Sequence, residues 1–285
     1  MNSLWNHKQI FRINNKDLKL CGYSIAGIRT GFYIPQLKIM LDAGNCSPFN
    51  PEFIFISHLH SDHTQSLPMI LTNITTKPKI FVPVGTRQLI MDYILSFERM
   101  TRYDNSINEE NMKDKFQIIE VQPNMILNLM GNYKIQIFET FHGVPSVGYA
   151  IFETKTRLKE EYKNNTRDEI IELRRNKINI MDEILLPVLA YTGDTTPIWL
   201  DNELFMKNDF PLVISECTFI NQLSMTKDVS SWMHTSLEQL EYYINIKPKT
   251  QFVLIHWSQR YSKNDIDNIM SIKGFNNVIA WTDNS

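Results

Sequence analysis

The chain is short of the features that mark several special classes of protein. It holds three cysteines, Cys21, Cys46 and Cys217, far apart and with no Cys-x-x-Cys pair. That excludes a disulfide framework and a cysteine zinc site, and it suits a reducing compartment. No apolar stretch is long enough to span a membrane and no signal-peptide pattern is present. The expectation is a soluble, intracellular protein, cytoplasmic or nuclear, with no membrane partner. An excess of either charge is also missing: 29 Lys and Arg against 31 Asp and Glu give a formal net charge of −2. A nucleic-acid partner would therefore need a local basic patch rather than a global field. There is no repeat of solenoid period and no low-complexity tract. What is left is ordinary globular composition, 285 residues of which 43% are hydrophobic and 21% charged, enough for a sizeable core.

Against that plain background one stretch stands out, Ser57-His58-Leu59-His60-Ser61-Asp62-His63. Its metal-competent side chains follow a His-x-His-x-Asp-His pattern, directly after the apolar run Phe53-Ile54-Phe55-Ile56. Such a run reads as a short strand buried on both faces. The cluster thus lies where a buried strand gives way to a loop, a common place for chemistry in layered α/β proteins. Two imidazoles two residues apart can close on one cation, and the carboxylate and third imidazole can serve a second. Zinc accepts both ligand types and, in catalytic sites, keeps room for water. A single histidine would read as a solvated loop residue or a satisfied core residue; this grouping favours metal.

The rest of the chain is organised to meet that stretch. Residues 1–17 read as a loose lead-in or a short edge strand, and Leu18 to Leu41 as a meander of short β segments ending at Asp42. A helix is expected from Thr64 to Leu71. A second β–α unit follows, a strand over Lys79–Pro83 and a helix from Thr86 to Met100 with apolar residues at 3–4 spacing. Strands are expected over Phe116–Val121, Tyr133–Thr140 and Gly148–Phe152, and helices near 235–246 and 263–271. Several apolar runs end on a potential ligand or acid: Tyr133–Thr140 leads to His142, Val188–Gly193 to Asp194, Leu212–Ser215 to Glu216, and Phe252–Ile255 to His256. Of seven histidines, only His7 looks incidental. One site that collects ligands from the whole chain implies one domain over 1–285. Two similar β-rich halves with helices outside predict a four-layer αβ/βα sandwich of the α/β class.

Counting ligands gives a workable assignment. One zinc takes His58, His60 and His142; the other takes Asp62, His63 and His256; Asp194 bridges them, with an Asx-turn residue as its plain alternative. Paired ions about 3.5–4 Å apart share a hydroxide, whose formation near neutral pH follows from a bound-water pKa of roughly 7.

These motifs together resemble the metallo-β-lactamase fold superfamily. More narrowly, the chain is similar to ribonuclease Z, the tRNA 3′-processing endonuclease, in its short form and plant-like branch. The narrower resemblance rests on Ile56–Pro68, Thr140–Tyr149, Leu189–Thr196, Ser215–Phe219, His234-Thr235-Ser236 and Leu254–Tyr261. It implies a zinc-dependent endoribonuclease, with two Zn2+ per subunit (Mn2+ being another candidate), working as a homodimer on precursor tRNA. Hydroxide attack after the discriminator nucleotide would leave a tRNA 3′-hydroxyl. By the same resemblance Asp42 supports the metal site, and Asp62 is both ligand and candidate general base. Glu216 with His234 matches the pair that protonates the leaving oxygen. Ser258 and Arg260 match residues that hold the substrate phosphate, a role suited to a guanidinium.

The sequence departs from the family in two places. The usual glycine-rich opening loop is replaced by Tyr23–Gly31, and the insert at 153–180, where the family carries its tRNA-gripping arm, lacks a Gly/Pro-rich tip. The insert is expected to be an inserted helical arm, too short for its own core. Lys155, Arg157, Lys159, Lys163, Arg167, Arg174, Arg175 and Lys177 are its candidate tRNA contacts, salt-sensitive by nature. The five interleaved acids, Glu160, Glu161, Asp168, Glu169 and Glu172, leave a solvated helical hairpin as the competing reading. Two other functions stay open. One is another phosphodiesterase or thioester hydrolase of the same fold. The other is a non-catalytic, metal-stabilised RNA-binding scaffold.

Overall fold

Short apolar runs punctuated by turn residues pair into sheets because each run is too short to bury itself any other way. The computed structural model describes residues 5–222 and 233–282, and among them the strands form two seven-stranded sheets. The first sheet runs, in spatial and chain order, β1 (Lys8–Ile13), β2 (Lys16–Ile25), β3 (Arg29–Ile34), β4 (Ile39–Leu41), β5 (Phe53–Phe55), β6 (Lys79–Pro83) and β7 (Gln117–Val121). The second runs β8 (Ile126–Asn128), β9 (Tyr133–Glu139), β10 (Val147–Leu158), β11 (Met181–Tyr191), β12 (Leu212–Glu216), β13 (Gln251–Ile255) and β14 (Val278–Ala280).

Both sheets have the same internal plan. β1 to β4 are antiparallel and β4 to β7 parallel. Likewise β8 to β11 are antiparallel and β11 to β14 parallel. Parallel neighbours need crossovers, which place helices on the outer faces and collect the carboxyl ends of the strands at one edge. The two inner faces share a core that includes Phe32, Phe55, Tyr149, Leu189, Ile214 and Val253. Helices Leu67–Asn73 and Arg87–Arg102 pack outside the first sheet on Met40, Ile54 and Ile80. Helices Leu237–Ile246 and Lys263–Lys273 cover the second, on Phe252, Leu254 and Trp257. This is the four-layer sandwich the strand pattern predicts.

Local signals explain most helix ends. The helices starting at Leu237 and Lys263 each open on a reciprocal capping box, Ser236 with Gln239 and Ser262 with Asp265. The helix expected from Thr64 to Leu71 is instead a single turn, Ser61–Thr64, and a separate helix, Leu67–Asn73. Pro68 within the first turn of the second is favourable there and unfavourable inside a continuous helix. Of the 17-residue lead-in, the described part contains edge strand β1. The short edge strands β8 and β14 were not anticipated.

The insert differs most from expectation. It is helical only in a turn at Glu160–Tyr162 and over Arg167–Arg175, where Thr166 and Glu169 form another capping box. Its stem is β structure: β10 and β11 continue out of the sheet, with Thr154 opposite Leu185 and Leu158 opposite Met181. The stem has no buried side, so no apolar alternation announces it. Backbone pairing propagated from the core suffices. Among the described residues no helix is long and apolar enough to cross a membrane.

Candidate metal centre

β5 ends at Phe55, and the chain then turns along the sheet edge as Ser57–His63. Backbone packing holds this loop down: a Cβ on Gly44 would lie 1.8 Å from the Asp62 carbonyl oxygen. Only glycine allows that approach. The helical turn Ser61–Thr64 sends Asp62 and His63 inward, while His58 and His60 face the end of the second sheet.

Two groups of ligand-bearing side chains result. In the first, His58 Nε2 and His60 Nδ1 are 3.1 Å apart, and His142 Nε2 is 3.2 Å from His60 Nδ1. His142 arrives on the segment after β9. Bonds of 2.0–2.1 Å to one tetrahedral zinc would separate such nitrogens by about 3.3 Å. In the second group, Asp194 Oδ2 lies 3.3 Å from His63 Nε2 and 3.2 Å from His256 Nε2. Asp62 Oδ2 lies 3.3 Å from His256 Nε2 and 3.6 Å from His63 Nε2. Asp194 also reaches the first group, 3.8 Å from His58 Nε2.

The protonation states suit this use. Burial, then the charge of His63, drives His58 well below the usual histidine range; burial likewise lowers His60 and His142. All three are neutral imidazoles with a lone pair available. Burial works to raise Asp62, but its hydrogen bond to His256 and the nearby His63 outweigh that and bring it to about 2. Burial would raise Asp194 as well, yet His256, His63 and His58 hold it well below the carboxylate range. At His63, burial opposes protonation, and the carboxylates of Asp194 and Asp42 overcome it and push the group well up. A site that pulls this strongly for positive charge is suited to a cation.

Asp42 is the hub beneath the loop. It is fully buried, and its Oδ1 accepts from Ser57 N at 2.7 Å. Its Oδ2 accepts from Ser57 Oγ at 2.8 Å, from His63 Nδ1 at 2.6 Å and from the Tyr191 hydroxyl. His63 Nδ1–H is thereby held on Asp42 and Nε2 is left facing the second group. Asp42 and His256 both sit at strand ends in the left-handed region, at φ 54° and 63°. Such backbone is uncommon outside glycine and concentrates at functional sites. Gly193, at φ 60°, lets β11 turn toward the site; a Cβ there would meet Ser57 Oγ at 2.4 Å.

Glu216 and His234 adjoin both groups. His234 Nδ1 is 3.1 and 3.0 Å from the two Glu216 oxygens. The carboxylate is fully buried and also accepts from Thr195 N, from Thr218 Oγ1 at 2.6 Å and from Thr235 N at 3.2 Å. Burial alone would lower His234, but Glu216, then Asp194, raise it to about 9. His234 is therefore an imidazolium at neutral pH.

His60, Asp62, His142, Asp194, His234 and His256 line a cleft of about 510 Å³ with Ala26, Gly27, Val144, Phe219, Ser258, Gln259 and Arg260. Ser258 Oγ accepts from Arg260 Nε at 3.2 Å, and the guanidinium lies 5.1 Å above the Phe219 ring. Gly27 N donates to Asp62 Oδ2 at 3.0 Å, so the turn that replaces the usual glycine-rich loop still reaches the site. Among the described residues, none of the eight arm cations lines the cleft. Lys155 is 4.0 Å from Glu153, and Lys163 pairs with Glu160 at 2.6 Å. Lys159 is half-buried; Arg157, Arg167, Arg174, Arg175 and Lys177 are exposed along the insert. Ser57, Tyr191, Thr195 and Thr218 escaped sequence reasoning, because serine, threonine and tyrosine carry no distinguishing spacing.

The donors fit a divalent metal on one further observation. His63 Nε2 and Asp194 Oδ1 are buried without any hydrogen-bond partner. A polar atom withdrawn from water and left unpaired costs about 1–3 kcal/mol. Here two such atoms face groups of converging ligands.

The facing mixed sheets, with this His/Asp site at the carboxyl ends of their strands, define the metallo-β-lactamase fold. Two solved structures share it. Human tRNase Z, short form (ELAC1), has a TM-score of 0.53 at 18% identity and covers 84% of this chain and 92% of its own. The YhfI protein from Bacillus subtilis has a TM-score of 0.55 at 14% identity and covers 90% and 92%. The family model described as Anti-Pycsar protein Apyc1 matches residues 35–186, more than half of the chain, and the chain belongs to that family. Similarity to two further proteins is longer. tRNase Z TRZ1 of Arabidopsis thaliana is 28% identical over 257 residues, 88% of this chain and 89% of the relative. Ribonuclease Z of Methanocaldococcus jannaschii is 25% identical over 256 residues, 81% of this chain and 77% of the relative.

Proposed function

We propose that this chain is a metal-dependent endoribonuclease that removes the 3′ trailer from precursor tRNA. The carrying observation is the buried Glu216–His234 pair beside the two ligand groups. It accompanies long similarity to proteins named tRNase Z and ribonuclease Z. His58, His60 and His142 would hold one zinc and Asp62, His63 and His256 a second, with Asp194 in reach of both groups. Such ions would supply a nucleophile from water near neutral pH and offset charge developing on the phosphate.

The chain's own side chains do the rest. Ser258 and Arg260 seat the phosphate at the cleft wall. Asp62, ionised and itself part of the second group, takes a proton as general base. His234 carries a proton on the side opposite its Glu216 contact and gives it to the departing 3′-oxygen, so the tRNA keeps a 3′-hydroxyl. Glu216 orients and charge-stabilises that imidazolium. Asp42 holds the loop and the His63 tautomer. The chain acts as one domain over 1–285 and as a homodimer. The cations of the 153–180 arm meet the tRNA backbone, and net positive charge on that arm supports the reading.

The test is cleavage of end-labelled precursor tRNA by the purified chain, beside His63→Ala and Glu216→Ala. One cut after the discriminator nucleotide, lost or strongly slowed in both variants, is the expected result. A small phosphodiester substrate is the second reading. It is favoured by a cleft of about 510 Å³, within the range of small-ligand sites, and by the five acids interleaved with the arm's cations. Intact precursor tRNA together with hydrolysis of a small diester would select it.

A further inference from the structure

Thr218 donates to Glu216, and its hydroxyl also sits against a histidine of the second ligand group. It is buried, two residues beyond the end of β12. Its Oγ1 lies 2.6 Å from Glu216 Oε2, 2.9 Å from His256 Nδ1 and 3.3 Å from His234 Nδ1. A carboxylate oxygen only accepts, so the single hydroxyl proton goes to Glu216. Towards His256 the hydroxyl can then only accept. His256 then donates from Nδ1, which leaves Nε2, 3.3 Å from Asp62 Oδ2 and 3.2 Å from Asp194 Oδ2, as the nitrogen a cation at the second group would take.

The first sheet contains the same device. Ser57 Oγ donates to Asp42 Oδ2 at 2.8 Å and lies 3.0 Å from His58 Nδ1, whose Nε2 faces the first ligand group. In each half, a buried carboxylate sets a ligand histidine through an intervening hydroxyl. The Thr218 version differs in one respect: its carboxylate also holds His234. The main chain secures it, with Cys217 N on the Ile255 carbonyl at 2.8 Å and Ser258 N on the Thr218 carbonyl at 3.0 Å.

We propose that Thr218 is a positioning residue that sets the metal-binding tautomer of His256 and ties it to the Glu216–His234 pair. The inference rests on the metal-centre part of the proposed function and not on the choice of RNA substrate. Partners of this kind contribute about 10–100-fold to metal affinity or activity. Thr218→Val keeps the shape and removes the hydroxyl; Thr218→Ser restores it.

Calorimetric titration of the metal-free full chain with Zn2+ is the primary measurement. Thr218→Val is expected to bind one equivalent about 10–100-fold more weakly than wild type, and Thr218→Ser within about threefold of it. On bis(p-nitrophenyl) phosphate, Thr218→Val should lower kcat by a similar factor at nearly unchanged KM. Wild-type zinc affinity in Thr218→Val overturns the proposal, as does a Thr218→Ser variant no better than Thr218→Val. If Thr218→Val does not fold, nitrogen-15 spectra of the histidines in zinc-loaded wild type decide instead. His256 coordinated through Nε2 with a proton on Nδ1 supports the proposal, and coordination through Nδ1 overturns it. Uncut precursor tRNA with the zinc result as expected removes the substrate reading and leaves this one standing.

Discussion

The two sheets feed the site in contrasting ways. The first delivers His58, His60, Asp62 and His63 from a single loop after β5. The second delivers His142, Asp194, Glu216, His234 and His256 from separate segments spread over more than a hundred residues. Yet the supporting plan is shared: Asp42 with Ser57 under one half, Glu216 with Thr218 under the other. A local loop needs one buried carboxylate to orient it. A dispersed set depends on register: Glu216 and His256, for example, lie at the ends of neighbouring parallel strands, whose pairing brings those ends level. Errors in the second half should therefore be felt through geometry, and errors in the first through local hydrogen bonding.

The sharpest break in this comparison is Asp194, whose Oδ2 lies within 4 Å of His58 in the first group and of His63 and His256 in the second. Asp194→Ala is expected to lower kcat/KM on the order of 10⁴-fold or more, because several kcal/mol of charge stabilisation disappear with the ions. Metal content by mass spectrometry should fall with it; full metal content in an inactive variant would contradict the bridging role.

Glu216→Gln comes next, with a loss of about 10²–10⁴-fold in kcat expected at saturating zinc. It also separates the acid pair from the ligands by pH. His234, held at about 9, stays protonated through neutrality, so activity should decline on the alkaline side near that value. Loss of the Glu216 charge should move that limb to lower pH. The sign for stability is the same. A histidine raised above its unfolded pKa of about 6.5 stabilises the fold fully below that pH. The contribution disappears as pH rises through about 9. Thermal melts of the metal-free protein should show this decline, flattened in Glu216→Gln.

Gly193→Ala tests register without touching a ligand. The added Cβ would enter the space of Ser57 at a left-handed backbone position, a combination expected to cost about 2–4 kcal/mol. Urea denaturation measures it, and a loss below about 1 kcal/mol would mean that the β11 turn is not tightly set against the first sheet. The smallest effects belong to the arm. Charge removal at Arg174 and Arg175 should leave small-diester hydrolysis unchanged and weaken RNA binding several-fold. The slope of log affinity against log salt should flatten by about one to two. An unchanged salt slope would remove the arm from RNA contact.

Much of this was readable in the linear chain, for identifiable reasons. A ligand cluster within six residues is visible because no tertiary information is needed to bring its members together. Strands such as β5, β12 and β13 are visible because burial on both faces demands unbroken apolar runs. The stem of the insert was not, since Thr154 to Leu158 have no buried face to leave a pattern. β8 and β14 were missed because three residues give too little periodicity.

The chain's order of residues dictated the two halves, the ligand types and the loop that gathers four of them, since these follow from local periodicity and from chemistry within one turn of backbone. Pairing across the sheets decided everything that depends on a third dimension. It placed Asp194 within reach of both groups, brought Glu216 against His234, and set Ser57 and Thr218 under the histidines they orient. A hydroxyl's role lies in whom it meets, and only packing determines that.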